Sequence, residues 1–120
     1  GTLAQLTALT SPKFTAMASF AGKCNALTPT DPKLVRFDTS NIAEYRMRSS
    51  QAYVKSFKCP VRLYYGDQET WIIEQTRTTV ERGQDAGIDI VAAAVPGDHM
   101  SAVPESIRRS IEFFKTLEKK

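Results

Sequence analysis

The sequence predicts an α/β fold in which a parallel sheet, with about three strands in this chain, is flanked by helices. Two observations predict it. Apolar runs at 61–65 and 88–95 have the β-branched or aromatic content of buried strands, and each precedes a longer stretch with helical spacing of apolar residues. Strands that alternate with helices form parallel sheets, because each helix returns the chain across a face of the sheet. At 120 residues the chain is at most one domain.

The first third of the chain predicts a helix, a strand and a loop. Leucines and alanines at three- and four-residue spacing indicate a helix over residues 2–9, which Pro12 ends. The apolar run over residues 14–20 predicts a buried strand that Gly22 closes. Residues 23–40 are polar and proline-containing, which is typical of a loop.

Two short helical pieces are expected before the central strand. Ser40 or Asn41 supplies the cap of a helix that runs through Met47, since both side chains accept hydrogen bonds from the first helical N–H groups. Residues 49–57 follow as a second short helical piece.

The second half carries the stronger signals. The strand over 61–65 ends at Gly66. A helix over about 71–84 then presents an apolar stripe, with glycines at its end. The stripe comprises Ile72, Ile73, Thr76 and Val80, and the glycines are Gly83 and Gly87.

The last strand and helix are separated by a tight turn. Residues 88–95 lack alternation between apolar and polar side chains, which favours a strand buried on both faces. Pro96-Gly97 turns the chain, and Pro104 opens the final helix. Its apolar residues in phase are Ile107, Ile111, Phe114 and Leu117. A sheet this thin leaves exposed edges, so we expect further strands on a segment outside this chain.

Composition narrows the function classes. The chain is 42% hydrophobic and 24% charged, with no apolar run near the 18 or so residues of a membrane span, so no membrane partner is expected. Residues 33–62 carry seven basic side chains against two acidic ones, but no nucleic-acid motif accompanies them. We interpret them as a solvated surface and expect no nucleic-acid partner.

No phosphate loop, dinucleotide fingerprint or metal-ligand cluster is present, so no cofactor and no metal are expected. Cys24 and Cys59 are interpreted as reduced, buried thiols.

His99 is the sharpest single candidate. It is the chain's one histidine, and it follows a strand and the Pro96-Gly97 turn. In open α/β sheets the active sites lie at the carboxyl ends of strands, so His99 is predicted to be a general base and then a general acid.

Three carboxylates are candidates for the partner of His99. Such an acid accepts the Nδ1–H of the imidazole and fixes its tautomer. Glu69 and Asp67 both follow the strand that ends at Gly66, and either side chain has the required chemistry. Asp67 is also the kind of residue that simply forms a turn after glycine, and Asp98 is predicted to order its own turn.

A histidine and an acid of this kind act together with a nucleophile as a catalytic triad, and no serine in the sequence stands in the pattern expected for that nucleophile. No Gly-x-Ser-x-Gly occurs, and Gly83-Gln84-Asp85-Ala86-Gly87 closes a helix instead of following a strand. Ser101 lies beyond His99, in the wrong order along the chain for this kind of triad.

These residues resemble the C-terminal half of α/β-hydrolases, most closely the dienelactone-hydrolase and prolyl-oligopeptidase-like esterases and peptidases. The matching pieces are Lys58-Cys59-Pro60-Val61, Gly66-Asp67-Gln68-Glu69, Ala86-Gly87 and Pro96-Gly97-Asp98-His99. In that family the acid usually stands three residues after the glycine, which implies Glu69, although aspartate is commoner there. The resemblance also implies that Gly1 closes the nucleophile elbow, so the chain begins just after the serine.

The resemblance implies one partial α/β-hydrolase domain over residues 1–120, with 23–57 as a loop or cap segment. The expected function is that of the C-terminal part of a serine esterase or peptidase, with an ester or peptide substrate. This chain supplies His99 and the acid, a second chain or segment supplies the nucleophile, and the chain alone is inactive. One alternative is a non-catalytic interaction or scaffold protein with a hydrolase-derived fold. A more distant one is an anion-binding module, which an anion at Arg46 or Arg48 would favour.

Overall fold

The computed structural model describes residues 1–26, 33 and 35–118, and the structural statements below concern these residues. They form four α-helices, one 3₁₀ helix and three β-strands. In chain order these are α1 (Thr2–Thr10), β1 (Met17–Phe20), α2 (Ile42–Met47), the 3₁₀ helix (Ser50–Ser56), β2 (Val61–Gly66), α3 (Thr70–Asp85), β3 (Ile90–Val95) and α4 (Val103–Glu118).

The three strands form one parallel sheet in the order β1-β2-β3, which confirms the predicted fold class. Val61 of β2 is in register with Met17 of β1 and with Ile90 of β3. Because every strand points the same way, the three carboxyl ends and the loops that leave them share one edge of the sheet. The central strand β2 is paired on both sides, while β1 and β3 each pair on one side only.

Two separate cores cover the two faces of the sheet. The larger core lies under α1 and the 3₁₀ helix, and it includes Ala8, Val54, Val61, Leu63 and Ile90. The smaller one lies on the face that α4 covers and is built on Tyr64, Val95 and Ala102. Alternate side chains of β2 enter each core, since successive residues of a strand point to opposite faces.

Two expectations for the strands are corrected by the structure. β3 is not buried on both faces, because it is an edge strand and Val91 is 44% exposed. β1 is also shorter than the predicted 14–20: it starts at Met17, and Phe14, which is 43% exposed, lies before it.

The helix α3 differs from its prediction at one glycine. Gly83 was expected to end the helix with Gly87, but it lies inside α3, where a Cβ would meet the Ile90 side chain at 2.6 Å. Gly83 therefore allows close packing of α3 on β3, while Gly87 follows the helix at φ +79°. Of the expected stripe, Ile72 and Thr76 are buried and Val80 is partly buried, but Ile73 is exposed.

The segment between β1 and β2 is only partly described. The predicted loop over 23–40 includes residues 27–32 and 34, which lie outside the described residues. Asn41 caps α2, as predicted, by accepting a hydrogen bond from the Ala43 N–H at 3.0 Å. The predicted helical piece at 49–57 is the 3₁₀ helix, which packs against α1 and α3 and buries Ser50 and Val54.

Exposed apolar side chains lie on α4 and beside the free edge of β1. Ile107, Ile111 and Phe114 of α4 share one exposed side of the helix, with Ile107 54% exposed.

Cys24 and Cys59 are free and buried, as predicted, and burial raises the pKa of both thiols. No helix within the described ranges has both the length and the apolar character needed to cross a bilayer.

Candidate active site

The loops that follow β2 and β3 are tied together at the carboxyl edge of the sheet. The Asp67 N–H donates to the Val95 carbonyl at 2.8 Å, and the Gln68 N–H donates to the Gly97 carbonyl at 3.1 Å. In return, the Gly97 N–H donates to Asp67 Oδ1 at 2.9 Å. These three hydrogen bonds fix the position of one loop relative to the other.

Gly66 makes this close approach possible. A Cβ at this position would lie 2.5 Å from the Gly97 carbonyl oxygen, which is closer than real Cβ contacts allow. The last residue of β2 must therefore be glycine for the β3–α4 loop to reach it. This close packing brings Glu69, three positions after Gly66, next to the turn at Gly97.

Glu69 and His99 form a direct hydrogen bond at this point. Glu69 Oε2 lies 2.8 Å from His99 Nδ1, and Glu69 is buried, with 4% of its surface exposed. The other carboxylate oxygen, Oε1, accepts the Gly66 N–H at 2.9 Å. Glu69 also precedes the first turn of α3, where the positive end of the helix dipole favours a carboxylate.

His99 is anchored at one nitrogen and open elsewhere. Its side chain is 60% exposed, and its ring centroid lies 5.6 Å from that of Phe20, with the planes tilted by 34°. With Nδ1 used by Glu69, a neutral imidazole places its proton on Nδ1 and keeps a lone pair on Nε2. An Nε2 lone pair can accept a proton from a neighbouring group, which is the role of a general base.

The Asp98 and Asp67 carboxylates accept hydrogen bonds within the two loops, and neither is hydrogen-bonded to His99 in the described structure. Asp98 Oδ1 accepts the N–H groups of Met100 and Ser101 and the Ser101 hydroxyl, at 3.0, 2.8 and 2.9 Å. These hydrogen bonds lower the pKa of the Asp98 carboxyl. The predicted turn role of Asp98 is confirmed. Of the two candidate acids, Glu69 contacts the histidine and Asp67 holds the Gly97 N–H.

The start of α1 lies at the same edge of the sheet. Gly1 packs directly on Gly22 and the Phe20 carbonyl, with no room for a side chain at either glycine. The Ser19 hydroxyl donates to the Gly1 carbonyl at 3.0 Å, and the buried Gln5 amide donates to Ser19 Oγ at 3.1 Å. The first turn of α1 is thus fixed close to Phe20, whose ring contacts His99.

No local sequence pattern indicates the contact between Phe20 and His99. Phe20 ended a predicted strand, but its approach to His99 depends on β1 pairing with β2 in the register that sets Phe20 opposite Tyr64. Trp71 is 48% exposed in the first turn of α3, two residues after Glu69. Met100, next to His99 along the chain, is also exposed.

The described residues contain an acid–histidine pair and no metal centre. No three His, Cys, Asp or Glu side chains in the described ranges are placed to hold a metal ion. Ser101 is the serine nearest to His99 in the sequence, and its hydroxyl donates to Asp98. Glu69 can therefore orient the imidazole, and His99 Nε2 can exchange a proton with a neighbouring group.

No protein-family model matches this chain, and a search of the curated proteins found no match.

Proposed function

We propose that this chain is the C-terminal part of a serine hydrolase of the α/β-hydrolase type, acting on an ester or peptide bond. The single observation that carries the proposal is the 2.8 Å hydrogen bond from His99 Nδ1 to the buried Glu69 carboxylate. Its position on loops at the carboxyl ends of two parallel strands fits such an enzyme. The order of the acid and the histidine along the chain also fits.

In the proposed reaction, His99 Nε2 accepts the proton of a serine hydroxyl as the serine oxygen attacks the substrate carbonyl. The proton then passes from Nε2 to the departing alcohol or amine, which leaves an acyl-enzyme. Water repeats the sequence and releases the acid and the serine. Glu69 accepts the Nδ1–H throughout, so it holds the ring orientation and stabilises the imidazolium that forms in each step.

The proposed serine arrives on another segment or chain that adds to the free edge of β1. Two features of this edge support the proposal. An apolar groove of about 440 Å³ runs around β1 and is lined from both sides of the sheet by Leu3 and Phe14 and by Phe114 of α4. The first turn of α1 also lies next to Phe20 and, through it, next to His99. A strand paired to β1 would end beside the imidazole.

The chain alone is expected to be inactive under this proposal. The serine and the backbone N–H groups that stabilise the oxyanion would both come from the added segment. Each missing oxyanion donor costs roughly 3–4 kcal/mol of transition-state stabilisation, in addition to the loss of the covalent step. Activity therefore depends on reconstitution with the nucleophile segment.

The test measures labelling and turnover in native material. The protein is isolated without denaturant, its polypeptides are resolved by intact mass, and the mixture is treated with a fluorophosphonate and with p-nitrophenyl acetate. We expect a second polypeptide or segment to take the label at a serine. His99→Ala and Glu69→Gln should both lower turnover, while Asp67→Asn, which alters the neighbouring carboxylate, should change it much less. Absence of both labelling and turnover would contradict the proposal.

A non-catalytic interaction protein is the second candidate. The exposed apolar residues around β1 and on α4 favour it, since such a surface binds another protein whether or not a serine is present. A tightly bound partner that resists the fluorophosphonate, in material without esterase activity, would support this function over the hydrolase.

A further inference from the structure

A polar cleft near the C-terminal end of α3 suggests a second site, separate from the acid–histidine pair. It has a volume of about 440 Å³ and lies where α2, the 3₁₀ helix and α3 meet. Its polar lining comprises Asn25, Arg46, Ser49, Gln51 and Arg82. Arg82 lies in the last turn of α3, thirteen residues after Glu69, so about 20 Å of helix separates it from the acid–histidine pair.

The two arginines of this cleft differ from most other arginines of the described chain. Arg48, Arg62, Arg77, Arg108 and Arg109 each pair with a carboxylate. Arg46 and Arg82 have no carboxylate partner among the described residues, and no carboxylate lines the cleft there. The guanidinium groups come from two different helices, so the described walls of the cleft carry positive charge without a counter-charge.

Gln51 adds an unused acceptor to the same cleft. Its backbone is fixed, because the Gln51 N–H donates to the Cys24 carbonyl at 3.0 Å. Its side-chain Oε1 is buried and has no hydrogen-bond partner in the described structure. A buried acceptor without a donor costs free energy, so the position favours a ligand that brings an O–H group.

Ser49 shapes the wall and is not available as a donor. Its hydroxyl donates to the Tyr45 carbonyl at 2.8 Å and accepts the Ala26 N–H at 2.8 Å. The groups that remain for a ligand are thus the two guanidiniums and the Gln51 side-chain amide.

We propose that this cleft binds a phosphate monoester that carries a neighbouring hydroxyl group. Near neutral pH such a monoester has close to two negative charges, which match the Arg46 and Arg82 guanidiniums. Guanidiniums bind phosphate oxygens through paired N–H donors. A rotation of the Gln51 side chain toward the cleft lets Oε1 accept the hydroxyl of the ligand, which gives this acceptor a partner. The volume is within the range of small-molecule sites.

The test is an NMR titration of the whole ¹⁵N-labelled chain with glycerol 3-phosphate, inorganic phosphate and glycerol. We expect saturable shifts at the Arg46 and Arg82 Nε–H signals and at the Gln51 side-chain amide, with glycerol 3-phosphate binding more tightly than phosphate. Glycerol should cause no shift. Arg46→Gln and Arg82→Gln should each weaken binding about tenfold.

Two further variants make the result decisive. Arg77→Gln removes the same charge from the exposed surface of α3 and should leave the affinity within about twofold, since distant surface charges are screened by salt. Gln51→Met should abolish the preference for glycerol 3-phosphate over phosphate. Absence of saturable shifts, equal losses in Arg77→Gln and Arg82→Gln, or equal affinity of the wild-type chain for the two phosphates would each overturn the proposal.

Discussion

The edge of the sheet around His99 and the free edge of β1 differ in how completely their groups are partnered. At the first, both oxygens of Glu69 and the loop N–H groups of Asp67, Gln68 and Gly97 are all hydrogen-bonded. At the second, apolar side chains meet solvent, with Leu3 77% exposed and Phe14 and Phe114 also exposed. The acid–histidine edge is complete within this chain, while the β1 edge has the apolar surface of an interface.

This difference separates what the described chain supplies from what the proposed hydrolase requires. A precise orientation of His99 requires only the two loops and the buried Glu69, all of which are present. A catalytic centre also needs a nucleophile, and the surface where a further strand can join is the incompletely packed one. Changes at the first edge should therefore alter the folded chain itself, while changes at the second should alter what it binds.

The largest effect is expected from Gly66→Ala. The added methyl group would meet the Gly97 carbonyl, a backbone atom that cannot move without separating the two loops. We expect a loss of about 3 kcal/mol in the free energy of unfolding, measured by urea denaturation. Gly87→Ala is the control, because Gly87 has φ +79° but open space around it, and should cost only about 1 kcal/mol. Equal losses in the two variants would contradict the close-approach account.

Glu69→Ala should have the next largest effect. It leaves the Gly66 N–H buried without an acceptor and frees the His99 ring, so the free energy of unfolding should fall by about 2 kcal/mol. Glu69→Gln, which keeps an acceptor for Gly66, should cost less in the same denaturation experiment. If Glu69→Ala unfolds at the same urea concentration as the wild type, the carboxylate does not hold this edge together.

Acid is expected to loosen the loop that carries His99, because the hydrogen bonds of this loop depend on an ionised Asp98. The pKa of Asp98 is lowered in the folded state, so its contribution to stability is present above the ordinary carboxyl pKa of 3.8 and is lost as pH falls through the lowered value. The protection factors of the Met100 and Ser101 amides in hydrogen exchange, which are corrected for the intrinsic pH dependence of exchange, should fall only in that acidic window. Asp98→Asn should remove this step in the profile. Loosening that begins between pH 7 and 5 would assign the effect to another group.

The smallest effect on stability is expected on the exposed side of α4. Ile111→Gln should change the free energy of unfolding by less than about 0.5 kcal/mol, because the side chain already meets solvent. Ile72→Ala, on the buried side of α3, should cost about 3 kcal/mol in the same assay. If the two variants were equally destabilising, Ile111 would be packed in solution and this side of α4 would be covered.

Much of the fold could be predicted because local signals agree with the tertiary structure. The Asn41 cap and the apolar run of β2 depend on short-range chemistry, and both predictions are confirmed. Gly83 was misassigned because its role depends on the contact between α3 and Ile90, which no local pattern reveals. Burial of β3 was wrong for a similar reason, since strand order, and not composition, makes it an edge.

The candidate site was predictable in part for the same physical reason. Chain order and strand ends indicate which loops meet, so His99 and two carboxylates could be named from the sequence. The choice between Glu69 and Asp67 as the histidine's contact depends on the turn after Gly66, which buries Glu69 and sets Asp67 against Gly97. The unused acceptor of Gln51 depends on packing around one atom, and the sequence has no signal for it.

The most direct test of the account is the tautomer of His99, read from long-range ¹H–¹⁵N correlations of its imidazole. The chain has a single histidine, so the signals need no assignment. At a pH where the imidazole ring is neutral, we predict that the wild-type chain carries the proton on Nδ1 and none on Nε2. In Glu69→Ala we predict a mixture of the two tautomers. A ring protonated mainly on Nε2, or one that Glu69→Ala leaves unchanged, would contradict an acid–histidine pair built for proton transfer.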